Sequence, residues 1–385
     1  MGILTIIVFL LVLSILVLVH EFGHFITARW AGVGVEEFAM GLPFTKPIWT
    51  KKLKDGLKIS LYPVLFGGFV KLLGEDTTEI KKSKSKNQKY FYEVNVWKRI
   101  AIVVAGAFMN FVLAFAVFYL FLALSGFKVL IPILAEYKFI SPVDKNRAVI
   151  VTYVEDKAPA AAAGLRPGDV ILSADNKVFA KFTDFQLYTK TKNGTPMRLQ
   201  LTDTTLKESK ELTVIPRVNP PVGQGPLGIG IGEGAVLDYK DVVPSGLQYG
   251  SDMFIYNFVV LRQLIGDAFK TKNAALVTEG VSGPIGIGSA VGTILSLGGW
   301  AAVINMLNLI GLLGLSLGFM NILPIPAMDG GRLVFLLFEA LTGRSIPSKY
   351  ESRVHQVGMI FLLGLMVLIS YFDVMKFLGP LLPKK

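Results

Sequence analysis

The sequence predicts a polytopic α-helical membrane protein of about four transmembrane helices, with a β-rich domain inserted outside the membrane and a small membrane-associated β-sheet. Three observations carry this. Of the 385 residues 52% are hydrophobic, and the mean hydropathy of +0.55 is high for a soluble chain. Apolar runs at Ile3–Phe25, Ile100–Gly126, Trp300–Leu323 and Val354–Phe377 are each long enough to cross a ~30 Å hydrocarbon core. Between the second and third runs the pattern changes to short alternating segments with nearly balanced charge, fifteen basic and thirteen acidic residues over 126–249.

The first run lacks a basic n-region and a small-residue cleavage site, so it is expected to stay as a span. It leads into His20-Glu21-Phe22-Gly23-His24. In a helix His20 and His24 lie on one face, so both imidazoles reach one metal ion, with Glu21 beside them. Ionisable groups at bilayer depth are costly and usually functional. The chain has no Cys and only three His, so a metal must be held by imidazole and carboxylate. The stretch Asn321 to Gly330 ends the third run, and Asp329 can supply the third ligand. Its competing role is to cap a helix starting at Gly330. His355 reads as an interfacial residue.

Residues 29–99 hold fourteen Lys or Arg against seven Asp or Glu, which makes this loop cytoplasmic by the positive-inside rule. The termini and residues 126–299 are then outside. The first and third spans run the same way, which gathers His20, His24 and Asp329 at the cytoplasmic side. A net charge of +11 invites a nucleic-acid reading, but the basic residues crowd into loops beside spans and do not interleave with aromatics, so no nucleic acid is expected.

Within that loop, Leu57–Tyr62 alternates and Phe69–Leu73 follows Gly67-Gly68, which reads as a β-hairpin or short sheet. Gly67, Gly68, Phe69 and Val70 would offer an edge strand to a peptide, or the sheet merely plugs the bundle. Lys81–Lys89 reads as solvated. In the second run, Ala105-Gly106-Ala107 lets helices approach closely. Asn110 either bonds a neighbouring backbone or lines the active site. Strands are expected at 148–151, 169–172, 197–201 and 211–214. Gly225–Gly234 reads as a return towards the bilayer, Tyr249–Lys270 as an amphipathic surface helix, and Val281–Leu297 as interfacial. The expected divisions are 1–27, 28–99, 100–126, 127–218, 219–298, 299–353 and 354–385.

Together these pieces resemble the site-2 protease family of intramembrane zinc metalloproteases, of the bacterial type similar to the regulator of sigma-E protease. The matching segments are His20–His24, Phe66–Lys71, Ala105–Phe111, Ser282–Ile287 and Asn321–Gly330. Pro159–Ile171 resembles the signature of a bacterial-protease PDZ domain. Ala107 departs from the Pro common after that Gly, and only one PDZ signature is recognisable. The resemblance implies one Zn2+ per chain and contact of Asn321 with the substrate backbone. It further implies a bacterial inner-membrane location, substrates that are single-pass membrane proteins such as anti-sigma factors or remnant signal peptides, and an upstream site-1 protease acting first. The PDZ-like domain would bind peptide or filter substrates by size.

Zinc on two His and one carboxylate keeps a position for water, with Glu21 as general base. A catalytically silent membrane scaffold with a recruiting PDZ domain is the rival, and the intact Glu21 argues against it. A transporter would require internal repeats, which are not seen. The basic surplus makes a topological prediction. A reporter fused within 81–89 should read as cytoplasmic and one near Asn193 as external, and the reverse pattern would overturn the orientation.

Overall fold

The computed structural model describes residues 2–75, 88–139, 143–179, 181–202, 209–221, 223–272 and 282–378. Its helices are α1 (Ile3–Ala31), α2 (Val96–Ser125), α3 (Pro159–Ala162), α4 (Phe182–Thr191), α5 (Pro244–Thr271), α6 (Pro284–Leu297), α7 (Gly299–Ile322), α8 (Asp329–Thr342) and α9 (Ser348–Leu378). The strands are β1 (Val35–Leu42), β2 (Trp49–Lys52), β3 (Lys58–Leu61), β4 (Val64–Leu72), β5 (Lys128–Pro132), β6 (Val143–Val154), β7 (Val170–Ala174), β8 (Met197–Thr202), β9 (Ser209–Val214) and β10 (Ile229–Asp238). Among the described residues four helices are long and apolar enough to cross a membrane: Ile3–Ala31, Val96–Ser125, Gly299–Ile322 and Lys349–Lys376. At 14 residues α6 spans only ~21 Å, too short for a crossing. The chain divides into two units, Met1–Val117 with Asp267–Gly298 and Asn308–Lys385, and Phe118–Gly266 with Gly299–Leu307.

In the first unit α1 runs past the apolar stretch to Ala31, where Gly32 at φ +84° ends it and donates its N–H to Ala28 and Arg29 carbonyls. The motif at 20–24 therefore sits inside a continuous helix. Beyond it, the chain forms a four-stranded sheet in the order β2-β3-β1-β4. Of the two expected forms, a hairpin or a short sheet, the sheet is what forms: β3 and β4 are consecutive but unpaired, because β1 lies between them, parallel to β3 and antiparallel to β4. The two-residue link Tyr62-Pro63 explains this. A type I′ turn needs positive φ at both central residues, which Pro63 cannot supply, and a type II′ turn needs it at the first, where Tyr62 stands in place of the favoured Gly. Tyr62 instead donates its N–H to the Met40 carbonyl at 2.9 Å. β4 is left as an edge strand. One apolar cluster, including Ala28, Val35, Leu72, Phe91, Ile102 and Leu336, binds α1, the sheet, α2 and α8 together. Most of the 81–89 stretch, through 87, lies outside the described residues.

The second unit is built on a six-stranded antiparallel sheet, β5-β10-β6-β7-β8-β9. The four strands expected from alternation all appear as β6 to β9. The Gly-rich stretch expected as a return segment is instead mostly β10, paired on both sides by β5 and β6. Its glycines are packing positions: a Cβ at Gly234 would come within 2.6 Å of Ile150 Cδ1, and one at Gly230 within 2.9 Å of Thr152 Oγ1. The β-rich body thus extends to Asp238 rather than ending near 218. Its core gathers Val151, Ala160, Ile171, Phe185, Leu199 and Leu201. On α5, Tyr249, Asp252 and Tyr256 are buried while Ile255, Phe258 and Phe269 are exposed, as an amphipathic helix requires.

Asp373, only 1% exposed in α9, fixes the start of α6: its Oδ2 accepts the N–H of Gly283 at 3.0 Å and of Gly286 at 2.8 Å. These donors have no intrahelical partner, so a carboxylate from another helix caps them. Asp373→Leu should cost about 1.5–3 kcal/mol, read as a lower unfolding temperature of the detergent-solubilised protein. Asp373→Asn, which keeps one acceptor, should cost less, and an unchanged melt for Asp373→Leu would refute the anchoring role.

Candidate metal centre

The helical spacing of His20 and His24 brings their Nε2 atoms to 3.1 Å. Asp329 Oδ2 lies 3.0 Å from His20 Nε2 and 3.3 Å from His24 Nε2. Three donors about 3.3 Å apart form one face of a tetrahedron around an ion ~2.0–2.1 Å from each, which is the geometry of a zinc site made of two imidazoles and a carboxylate. The set therefore fits a zinc ion by geometry and by donor chemistry, and it is the His/Asp/Glu group able to hold a metal among the described residues. Burial would raise the Asp329 carboxyl, but the His20 and His24 imidazoles bonded to it outweigh that and hold it well below the usual carboxylate range.

Asp329 arrives by a shaped loop. α7 stops at Ile322, Pro324 and Pro326 bar its continuation, and Ala327 turns with a left-handed φ of +74°. The Ala327 N–H donates to His355 Nδ1 at 2.9 Å. His355 thus braces the turn two residues before Asp329, a role its sequence position did not suggest. Met328, not Asp329, holds the N-cap position of α8, so Asp329 begins the helix with its carboxylate turned to the histidines. Gly330 and Gly331 pack so tightly on the loop that a Cβ at Gly331 would lie 2.6 Å from the Ile325 carbonyl. One turn on, Arg332 bonds Glu75, just past β4, lies 3.9 Å from Glu351 of α9, and sits 4.6 Å above the Phe91 ring. Arg99 of α2 clasps Glu339 of α8 with two bonds, at 3.1 and 2.5 Å.

The Val70 N–H of β4 lies near the Glu21 carboxylate. A Cβ at Gly68 would lie 3.6 Å from Glu21 Cγ and 3.7 Å from Val17 Cγ1, so β4 runs along α1 beside the motif. Gly67 has φ +130°, beyond the reach of most side chains. Gly67, Gly68, Phe69 and Val70 are thus next to the candidate centre. Asn321 is half-buried on the last turn of α7. Asn110, 1% exposed, lies against the back of His20, with 3.4 Å between its amide and His20 Nδ1.

The wall behind the histidines is α2. The Ile102 carbonyl accepts the Nδ1–H of His24 at 2.8 Å, and a Cβ at Gly106 would overlap both imidazoles. A backbone carbonyl carries no signature in a sequence; the Ala105-Gly106-Ala107 run was the available signal that something approaches there.

Residues 8–365 match peptidase family M50. The metalloprotease MmpA of Caulobacter vibrioides is 30% identical over 414 residues, covering 97% of each chain. A Clostridium perfringens protein that carries a zinc-metalloprotease name is 33% identical over 375 residues, covering 95% of this chain and 97% of that one. A solved PDZ domain of an SdrC-like protein from Listeria monocytogenes is 20% identical, with a TM-score of 0.20, over 25% of this chain and 93% of that one. The match over residues 8–365, which take in the three converging candidate ligands, together with the four long apolar helices, identifies the chain as a multi-pass membrane member of peptidase family M50.

Proposed function

We propose that the chain is an intramembrane zinc endopeptidase making site-2 cuts in single-span membrane proteins, near the cytoplasmic side of a bacterial inner membrane. The observation that carries this reading is the convergence of His20, His24 and Asp329 donors within 3.0–3.3 Å, with Glu21 next to them in a helix long enough to cross a membrane. A zinc ion there supplies Lewis acidity and lowers the pKa of its water towards ~7. Held by His20, His24 and Asp329, the zinc would supply an activated water, and Glu21 would take its proton and return it to the leaving amine.

A transmembrane substrate hides its carbonyls in intrahelical bonds and must unwind first. Because β4 is an edge strand lying beside α1, an unwound substrate can regain backbone bonds by joining it at residues 67–70. Asn321 then contacts the substrate backbone. The β-rich unit acts outside the membrane as a PDZ-like module, downstream of a first, site-1 cut. Anti-sigma-like proteins and remnant signal peptides are the substrate classes.

Purified protein should hold one zinc per chain. Glu21→Gln should keep the metal while cleavage falls by about 10²–10⁴-fold, and His24→Ala or Asp329→Ala should lose both. Cleavage near wild type in Glu21→Gln would assign the base elsewhere. Strand addition has its own test, made clean by the absence of native cysteine. Single cysteines at 67 to 71 should cross-link to a substrate with a period of two residues, and a helical period would refute strand addition.

A further inference from the structure

We propose that Asn110 is a positioning residue for the metal centre: its amide oxygen accepts the Nδ1–H of His20 and so fixes the tautomer that presents Nε2 to the metal. The inference deepens the zinc reading and rests on it. A neutral imidazole has one N–H. If Nε2 gives its lone pair to a metal, the proton is on Nδ1, and a buried ring N–H needs an acceptor. For His24 that acceptor is the Ile102 carbonyl at 2.8 Å. His20 requires a counterpart, and the group at its Nδ1 is the Asn110 amide, placed with its Nδ2 3.4 Å away.

Three features of α2 agree. Ile102, Gly106 and Asn110 fall four residues apart, hence on one face, and all three meet the histidines: a carbonyl on one ring, bare backbone pressed on both, an amide on the other. Gly23 of α1 opens the same contact from the other side, since a Cβ there would lie 2.8 Å from Met109 Cγ. Asn110 is 1% exposed, and its Oδ1 is a buried oxygen without a hydrogen-bond partner. Amide oxygen and nitrogen are distinguished by their hydrogen bonds and not by their shape. With nitrogen towards the ring, His20 would have to accept at Nδ1 and carry its proton on Nε2, which forbids ligation. Turning the amide supplies the ring's acceptor and gives the orphaned oxygen a donor. The amide N–H groups then occupy the oxygen's former place, a cost that an aspartate at 110 would not carry.

The test uses the full-length protein in detergent, with Zn2+ affinity measured by competition with a chromophoric chelator. Asn110→Leu, similar in volume but without an acceptor, should weaken zinc binding by about 10–100-fold. Asn110→Asp, which restores an acceptor, should bind within about threefold of wild type or more tightly. A purely structural Asn110 would not be rescued by a buried charge. Wild-type affinity in Asn110→Leu, or equal weakening in both variants, would overturn the proposal. Should Asn110→Leu fail to fold, nitrogen-15 histidine spectra of zinc-loaded wild type decide: a protonated, exchange-protected His20 Nδ1 supports the assignment, and a freely exchanging one sinks it. His24→Ala is the control for the underlying site. If that variant binds zinc as wild type does, the metal reading itself fails; if it loses zinc while Asn110→Leu does not, only the role of Asn110 fails.

Discussion

Two imidazoles one turn apart on an apolar helix can hold a metal only if their other ring nitrogens are satisfied without water. That constraint governs the packing of α1 against α2. A bilayer supplies no hydrogen bonds, so the partners must come from protein, and the Ile102 carbonyl is one of them at 2.8 Å. Reaching it requires α2 to approach within side-chain-free distance, which is why Gly106 faces the rings and Gly23 faces Ala105 and Met109. Small residues in a membrane helix pair are often read as a dimer seam. Here the same closeness orients metal ligands.

The third candidate ligand has the opposite origin. His20 and His24 are fixed by a regular helix, whereas Asp329 depends on a helix being broken. Pro324 and Pro326 end α7, Ala327 takes a left-handed turn braced by His355, and Arg332 ties the first turn of α8 to Glu75 and Glu351. Irregular backbone near bilayer depth is tolerated only when it is enclosed by protein, and the glycines at 330, 331 and 358 let the loop be enclosed, each with a Cβ position already filled by neighbouring backbone or by Pro326. Loss of a brace would move the carboxylate without touching the two imidazoles.

Much of this was legible in the residues. Period and length marked the four long helices; the pairing of His20 and His24 followed from helical geometry; Asp329 followed from chain direction. What escaped were interactions made by atoms every residue owns. The Ile102 carbonyl and the Val70 N–H are backbone groups, invisible to any motif. The sheet order escaped for a related reason: β1, Val35–Leu42, has only weak alternation, and the Pro63 that forbids a tight β3–β4 turn is evident only once the turn's φ requirement is considered. The Gly-rich β10 was misjudged because glycines suggest a loop, while here they admit neighbouring side chains into a sheet.

The contact between Glu21 and Val70 links two functions usually argued apart. If β4 receives substrate and Glu21 activates water, as proposed, the two roles would meet at one place, because the Val70 N–H beside Glu21 belongs to β4 itself. Backbone groups on that edge would then be shared between base and substrate. A substrate strand displacing β4 by even a fraction of an ångström would re-aim Glu21, because a hydrogen bond tolerates little change in distance or angle. Pairing with substrate would in turn stiffen β4 and hold the carboxylate still. On the proposed reading the sheet would be part of the catalytic geometry: correct seating of an unwound segment and correct aim of the base would be one structural event, disfavouring hydrolysis of peptide that had not first joined the strand.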